Sequence, residues 1–256
     1  MPGKIEKGTA TQPGTSFFLP EWYADLYGKA PVETAYIGGW AGIPNAYLVN
    51  GPDLRQMTVV GNVVGSVDVV QSEALGQTAF RFPGGRKIDT GHAATDEFTL
   101  IAVVNLTADQ LAGAGGTVKG LMQTENTSGA RQSYLQISNS GNLAFQLVSG
   151  SSFQVVSSLL TAGPSVIMAT CRKLAAGSYQ CSLFVNEFVT PKASATLAGS
   201  PLLGVPWTVG TGLLGLPWTS DVAAFLIAKR DMTKDAADYA AIKSALPLAK
   251  AWATPV

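Results

Sequence analysis

The residues able to do chemistry are few and far apart. His92, the single histidine, sits in the segment TGHAATDE, and a Ser-His-Asp relay would have to use it. No Gly-x-Ser-x-Gly turn supplies the serine, so a solvated loop position is its expected role. Cleaving a glycosidic bond needs two carboxylates at one site, one to protonate the leaving oxygen and one to attack or activate water. Asp68, Glu187 and Asp221 stand isolated, and Asp96 and Glu97 are adjacent, which on a strand sends them to opposite faces. Zinc needs three or four ligands, and one histidine with two cysteines does not supply them. Neither a phosphate loop with its Lys-Ser/Thr pair nor a basic patch interleaved with aromatics is present. The sequence therefore predicts no catalytic residue, no metal, no cofactor and no nucleic-acid partner.

What remains suits recognition. Trp207 and Trp218 each follow a proline in two echoed segments, LLGVPWT (Leu202–Thr208) and LLGLPWT (Leu213–Thr219). Exposed, their flat indoles would stack on sugar rings; buried, they would fill the edge of a core, the commoner fate of tryptophan. The stretch QTENTSGARQ, residues 123–132, offers amide, hydroxyl and guanidinium donors to a glycan through Gln123, Asn126 and Arg131. It reads equally as an ordinary hairpin end. A second cluster, FFLPEWYADLYG, gathers Phe17, Phe18, Trp22, Tyr23 and Tyr27 beside a polar, Gly/Pro-punctuated run over residues 1–16. Aromatics next to a loose arm suit an assembly interface, and they suit packing onto their own domain as well.

Composition narrows the partners. Only 13% of the 256 residues are charged, and 17 Lys+Arg balance 17 Asp+Glu. Such a balance gives no electrostatic pull toward nucleic acid or an anionic membrane. The first 16 residues hold no apolar signal-like core, and no apolar run approaches the ~18–20 residues that span a bilayer. A soluble chain made in a cytoplasm, with no membrane insertion, is expected.

The elements that must position these residues are strands. In PSVIMATCRKLAAGSYQCSLFVNEFVT (Pro164–Thr190), Ile167, Ala169 and Cys171 alternate with Val166, Met168 and Thr170. On the return, Tyr179, Cys181, Leu183 and Val185 share a face, the period of two of a half-buried strand. A turn centred near Ala176 sets Cys171 opposite Cys181. Directly opposed cysteines often strain a disulfide, so two buried thiols are expected. EFTLIAVVNL (Glu97–Leu106) is apolar on both faces, as a central strand is. Further strands are expected at residues 57–70, 79–82, around Ile88, and at 117–123, 134–138, 142–148, 153–156 and 221–228. Asn-Ser-Gly closes the hairpin of 134–148. PKASATLAGSP reads as a polar connection. A helix is expected over 233–246, capped by Thr233 and ended by Pro247. Residues 1–56 are assigned to an arm and 57–256 to one β domain.

The order of these blocks resembles the laminin-G/pentraxin-like branch of the concanavalin A-like lectin/glucanase superfamily. GQTAFRFPGGRKIDTG looks like its opening strand, EFTLIAVVNL like its central strand, and SYLQISNSGNLAFQL like its "Y-x-L-x-turn-G-x-L-x-F" hairpin. The segment ending Leu183-Phe184-Val185-Asn186-Glu187 is similar to the paired strands that close on "L-Y-V-N-G". TSDVAAFLIAKRDMTKD is similar to the final block, with Asp221, Ile227, Arg230 and Thr233 in their places. The resemblance covers residues 57–246 and implies an all-β jelly-roll sandwich. The arm, the low charge and the Gly/Thr/Val texture also look like virion proteins of tailed bacteriophages. That resemblance implies a non-enzymatic tail, baseplate, fibre or capsid-decoration subunit in the virion, held to other virion proteins by its arm. It implies a homo-oligomer, a trimer by analogy, that contacts host-surface polysaccharide. The alternative is a free lectin module, and after it a glucanase-like hydrolase.

Overall fold

The computed structural model describes Trp22, Leu26 and residues 34–37, 48–50, 55–57, 59–61, 68–82, 86–113, 116, 118–125, 131–147, 151–210 and 218–255. In chain order the first strands are β1 (Thr34–Ile37), β2 (Leu48–Asn50), β3 (Arg55–Met57), β4 (Val59–Gly61), β5 (Asp68–Ser72), β6 (Gln77–Arg81), β7 (Arg86–Ala93) and β8 (Phe98–Leu106). A helical turn α1 (Ala108–Leu111) precedes β9 (Lys119–Glu125), β10 (Arg131–Ile137), β11 (Leu143–Gln146) and β12 (Ser152–Val155). Then come β13 (Gly163–Ala175), β14 (Ser178–Val185), β15 (Ala193–Ala198), β16 (Pro206–Gly210), β17 (Val222–Ala228) and the helix α2 (Ala236–Trp252).

These strands make two antiparallel sheets. The larger has the order β15-β14-β13-β8-β17-β1-β2-β3, with the β5–β6 hairpin joined through β17. The smaller runs β12-β11-β10-β9-β16-β7-β4. Side chains alternate between faces, so one set from each sheet meets in a common core that includes Phe98, Leu100, Leu135, Phe145, Ile167, Trp207 and Phe225. The opposite face of the larger sheet offers Ile101, Val103, Val166, Met168 and Leu226 to Ile242, Ala245, Leu246 and Ala249 of α2. β8 is thus buried from both sides, as its doubly apolar sequence requires.

The β13–β14 hairpin has the expected register. Cys171 lies opposite Cys181, both inside the sandwich core. Both are free thiols, and their Sγ atoms share a hydrogen bond at 3.4 Å. That hydrogen bond, with burial second, pushes the Cys171 thiol far above its ordinary pKa.

Three expectations need correction. The boundary at residue 56 cuts through the sandwich. β1 pairs with β17 from Thr34↔Ile227 to Ile37↔Ala224, and β2 and β3 extend the same sheet. PKASATLAGSP contains a strand, β15, paired with β14 from Ser178↔Ala198 to Leu183↔Ala193. Its alternation was masked because the inward positions Ala193 and Ala195 are small. The helix starts at Ala236 because Asp235, not Thr233, is its N-cap, accepting from the Ala237 and Asp238 N–H groups. It continues through Pro247 to Trp252. A proline inside a helix loses a hydrogen bond, but Pro247 is solvent-exposed, and the buried stripe Ala245–Leu246–Ala249–Ala253 runs on past it. Packing of that stripe outweighs the local cost.

The blocks are also tied to one another. Arg81 on β6 holds Asp221, just before β17, with two parallel bonds of 2.8 Å, the strong bidentate geometry. The Thr99 hydroxyl on β8 donates to the Arg230 carbonyl and accepts from the Met232 N–H, fixing the turn that leads into α2.

Candidate functional site

The smaller sheet has one face in the core and one face away from it. Inward, Ile88, Met122, Leu135, Phe145 and Val209 join the core. The neighbouring residues on each strand point the other way and fall into register. Asp89 pairs with Thr208, Thr208 with Gln123, Gln123 with Tyr134, Tyr134 with Gln146, and Gln146 with Ser152. One polar row therefore crosses β7, β16, β9, β10, β11 and β12. At ~4.8 Å per strand it is about 24 Å long. A shorter row beside it carries Gln136, Ala144 and Gln154.

The row is ordered by its own bonds. The Tyr134 hydroxyl donates to Gln146 Oε1, and the Thr208 hydroxyl donates to the Gln123 carbonyl at 3.2 Å. Asp89 Oδ1 accepts from the Gly91 N–H at 3.0 Å. Thr208 and Gln123 are buried, Asp89, Tyr134 and Gln146 half-buried, and Ser152 exposed. Toward solvent the row presents the carboxylate of Asp89, the phenol of Tyr134, the amide of Gln146 and the hydroxyl of Ser152, while Thr208, Gln123 and the neighbouring Lys87 are buried beneath that face. Paired donors and acceptors of this kind match the hydroxyls of an uncharged, polyhydroxylated ligand.

Only part of this was foreseen. Gln123 belongs to the row, on β9, within the strand expected over 117–123. Arg131 opens β10, and Asn126 lies outside the described residues. Tyr134, Gln146, Thr208 and Asp89 were missed. The signal for the first two was in the sequence: an Asn-Ser-Gly turn with Ile137 opposite Leu143 places Tyr134 opposite Gln146.

The tryptophans do not serve as sugar platforms. Trp207 and Trp218 are each 0% exposed, within the core between the sheets. Trp207 meets Phe98 edge-on, ring centres 5.0 Å apart, and the alternation of β16 turns its indole inward while Thr208 faces the row. Trp218 follows residues outside the described set, and its backbone N–H donates to the Gly210 carbonyl at 3.1 Å. The stacking expectation is corrected: no face of either indole reaches solvent. Trp22 is similarly committed. It is buried in the layer beneath α2, its ring 5.8 Å from that of Trp252, so it packs on its own domain. Phe17, Phe18, Tyr23 and Tyr27 lie outside the described residues.

The acids have structural partners. Asp221 binds Arg81, and Asp96 takes Lys173 and the Tyr179 hydroxyl, bonds that lower its pKa. Asp238 pairs with Arg230 at 2.5 Å, and Asp231 and Asp235 cap turns. Glu187 accepts from the Val189 and Thr190 N–H groups, which lowers its pKa. His92 is half-buried on β7 rather than in a loop. Among the described residues no three of His, Cys, Asp and Glu stand together as a metal would require.

The sandwich has solved counterparts. It is similar to the botulinum neurotoxin type G receptor-binding domain, at 12% identity and TM-score 0.58, over 89% of this chain and 55% of that one. It is similar to domain 4 of an extracellular arabinanase from Geobacillus stearothermophilus, in complex with arabinotriose. That match has 11% identity and TM-score 0.54, over 88% of this chain and 100% of the other. It is also similar to a Trypanosoma rangeli sialidase in complex with sialic acid, at 11% identity and TM-score 0.52, over 89% of this chain and 38% of that one. The chain thus spans about half of the neurotoxin domain and the whole of the arabinanase domain. At these identities the likeness establishes the fold, a β-sandwich of the kind expected. The sequence matches no family model. No curated protein sequence matches it.

Proposed function

We propose that this chain is a non-catalytic carbohydrate-recognition module whose ligand lies across the outer face of the smaller sheet. The observation that carries the reading is the ordered polar row Asp89–Thr208–Gln123–Tyr134–Gln146–Ser152. Its amides and hydroxyls are fixed by the sheet register, so little side-chain entropy is lost on binding. The arabinanase domain supports the ligand class, because its whole length shares this fold and its structure holds arabinotriose. The structural engagement of Asp221, Asp96, Asp238 and Glu187 supports recognition without cleavage, since an acid pair poised for hydrolysis needs free carboxylates facing one substrate.

A virion setting remains part of this proposal on composition alone: low charge, a Gly/Thr/Val texture and the arm-like residues 1–16. Binding of other virion proteins would then use Phe17, Phe18, Tyr23 and Tyr27, because Trp22 is taken up by the chain's own core. The reading is tested on an array of neutral and acidic oligosaccharides, with mass spectrometry of each retained glycan. Retention of an intact neutral glycan is expected. Cleaved product, or no retention at any chain concentration, would contradict it.

A further inference from the structure

One pair of reactive groups plays no part in the polar row. Cys171 on β13 and Cys181 on β14 are the chain's two cysteines, both fully buried between the sheets. They are directly opposite each other, with their Sγ atoms 3.4 Å apart.

The ladder shows what the backbone allows there. Antiparallel partners alternate between pairs that exchange backbone hydrogen bonds and pairs that do not, and the second kind brings its Cα atoms to about 4.5 Å. The Asn186 N–H donates to the Val166 carbonyl at 2.9 Å, which makes 166 and 186 a bonded pair. Five steps along an unbroken register, Cys171 and Cys181 form a non-bonded pair. The far side of β14 agrees. The Ala198 N–H turns away from β14 to Ser151 Oγ at 3.0 Å, so Ala195, three residues earlier and opposite Cys181, turns its backbone toward β14. Cys181 therefore directs its own N–H and C=O to β15 rather than to β13. Non-bonded pairs hold their side chains closest, and a Cα separation of about 4.5 Å lies inside the span of about 4.4–6.8 Å that a disulfide bridges.

We propose that Cys171 and Cys181 are a redox-sensitive clasp, closed to an intramolecular disulfide when the chain folds in the presence of a small disulfide oxidant such as oxidised glutathione. One cysteine thiolate attacks a sulfur of the oxidant and expels one thiol, leaving a mixed disulfide. The other cysteine thiolate attacks the cysteine sulfur of that mixed disulfide and expels the second thiol. The cysteines lose two protons and two electrons, and the S–S bond of the oxidant is reduced to two thiols. Both steps need the hairpin open, because both sulfurs are fully buried in the folded chain. The redox state is thus set during folding and kept afterwards. A chain folded under reducing conditions retains two protected thiols, and one folded under oxidising conditions is tied from β13 to β14. The clasp is independent of the glycan-binding reading.

The full chain is unfolded in urea with reductant, then refolded with reduced glutathione alone or with a mixture of oxidised and reduced glutathione. Alkylation in denaturant followed by intact-mass spectrometry counts the free thiols. Two are expected after reducing refolding, and none after oxidising refolding, in a monomeric product. The reduced native chain, given the same mixture without unfolding, should keep both thiols over the time in which refolding closes the bond. Closing a loop between positions ten apart should raise the folding equilibrium constant by about a hundredfold, read as a higher urea midpoint by circular dichroism. Cys171→Ala and Cys181→Ala should each lose this oxidative gain; the thiol count of the wild type decides the matter whether or not these variants fold. Two free thiols after oxidising refolding, a disulfide between chains, rapid closure in the folded chain, or a closed form no more stable than the reduced one would each overturn the proposal.

Discussion

Replacing Trp207 separates a core tryptophan from a ligand-stacking one. The indole is fully buried between the sheets, edge-on to Phe98. Its Nε1 has no hydrogen-bond partner among the described residues. Truncation to alanine removes the whole buried ring, and such changes cost about 3–5 kcal/mol. For a domain of this size that corresponds to a fall in Tm of roughly 6–20 °C. Trp207→Phe keeps most of the apolar volume and deletes the unpaired donor, whose burial costs about 1–3 kcal/mol. The volume lost and the donor removed partly cancel, leaving a net cost of about 0–2 kcal/mol. Urea unfolding followed by far-UV circular dichroism measures both. Glycan binding, corrected for the folded fraction, should be unchanged in both variants. The reasoning is refuted if Trp207→Ala abolishes binding with less than about 1 kcal/mol of destabilisation, or if phenylalanine costs as much as alanine.

Other consequences are open to measurement. Pro247→Ala should raise stability by about 1 kcal/mol or more, because the helix runs through an exposed position where proline is a poor residue; an unchanged urea midpoint would mean that the helix ends there in solution. Burial, and then its hydrogen bond to Asp96, raise the Tyr179 hydroxyl to about 12. Its contribution to stability is complete below pH ~10, the unfolded value, and is lost as pH rises from there toward about 12. Tyr179→Phe should lack this part of the alkaline decline in a pH series of unfolding midpoints. Cys171 and Cys181 should resist a thiol reagent in the native chain, and two thiols should titrate in denaturant. Rapid native labelling would show that the hairpin opens, and none in denaturant would show a disulfide.

The strands that read most clearly are those whose pattern is set by burial alone. β8 is apolar on both faces because a sheet covers one and α2 the other. In β13–β14 the period of two and the short turn place Cys171 opposite Cys181 without any tertiary information. The same reasoning placed the Asn-Ser-Gly hairpin of β10 and β11. Where residues are small or partners distant, the pattern fails. β15 hides because Ala193 and Ala195 barely differ in size from the hydroxyl residues between them. β1 to β3 are three or four residues each and become strands by pairing with β17, far along the chain, or with each other. Thr233 resembles a helix cap locally, yet Asp235 has the geometry. The polar row across the smaller sheet uses residues from six strands, and only cross-strand register unites them. Trp207 and Trp218 drew attention as a repeated motif, but a repeated Pro-Trp records two chain segments entering one core.

The central claim is tested most directly by titrating an array-selected neutral oligosaccharide into the wild type and into the variants Tyr134→Ala and Gln146→Ala, by isothermal titration calorimetry. Both side chains are half-buried on the outer face, so the fold should tolerate their loss. The account predicts a wild-type complex with intact sugar, weakened about tenfold or more in each variant, since each loses polar contacts to the ligand. Equal affinity in the wild type and both folded variants would contradict it and move the ligand away from this sheet.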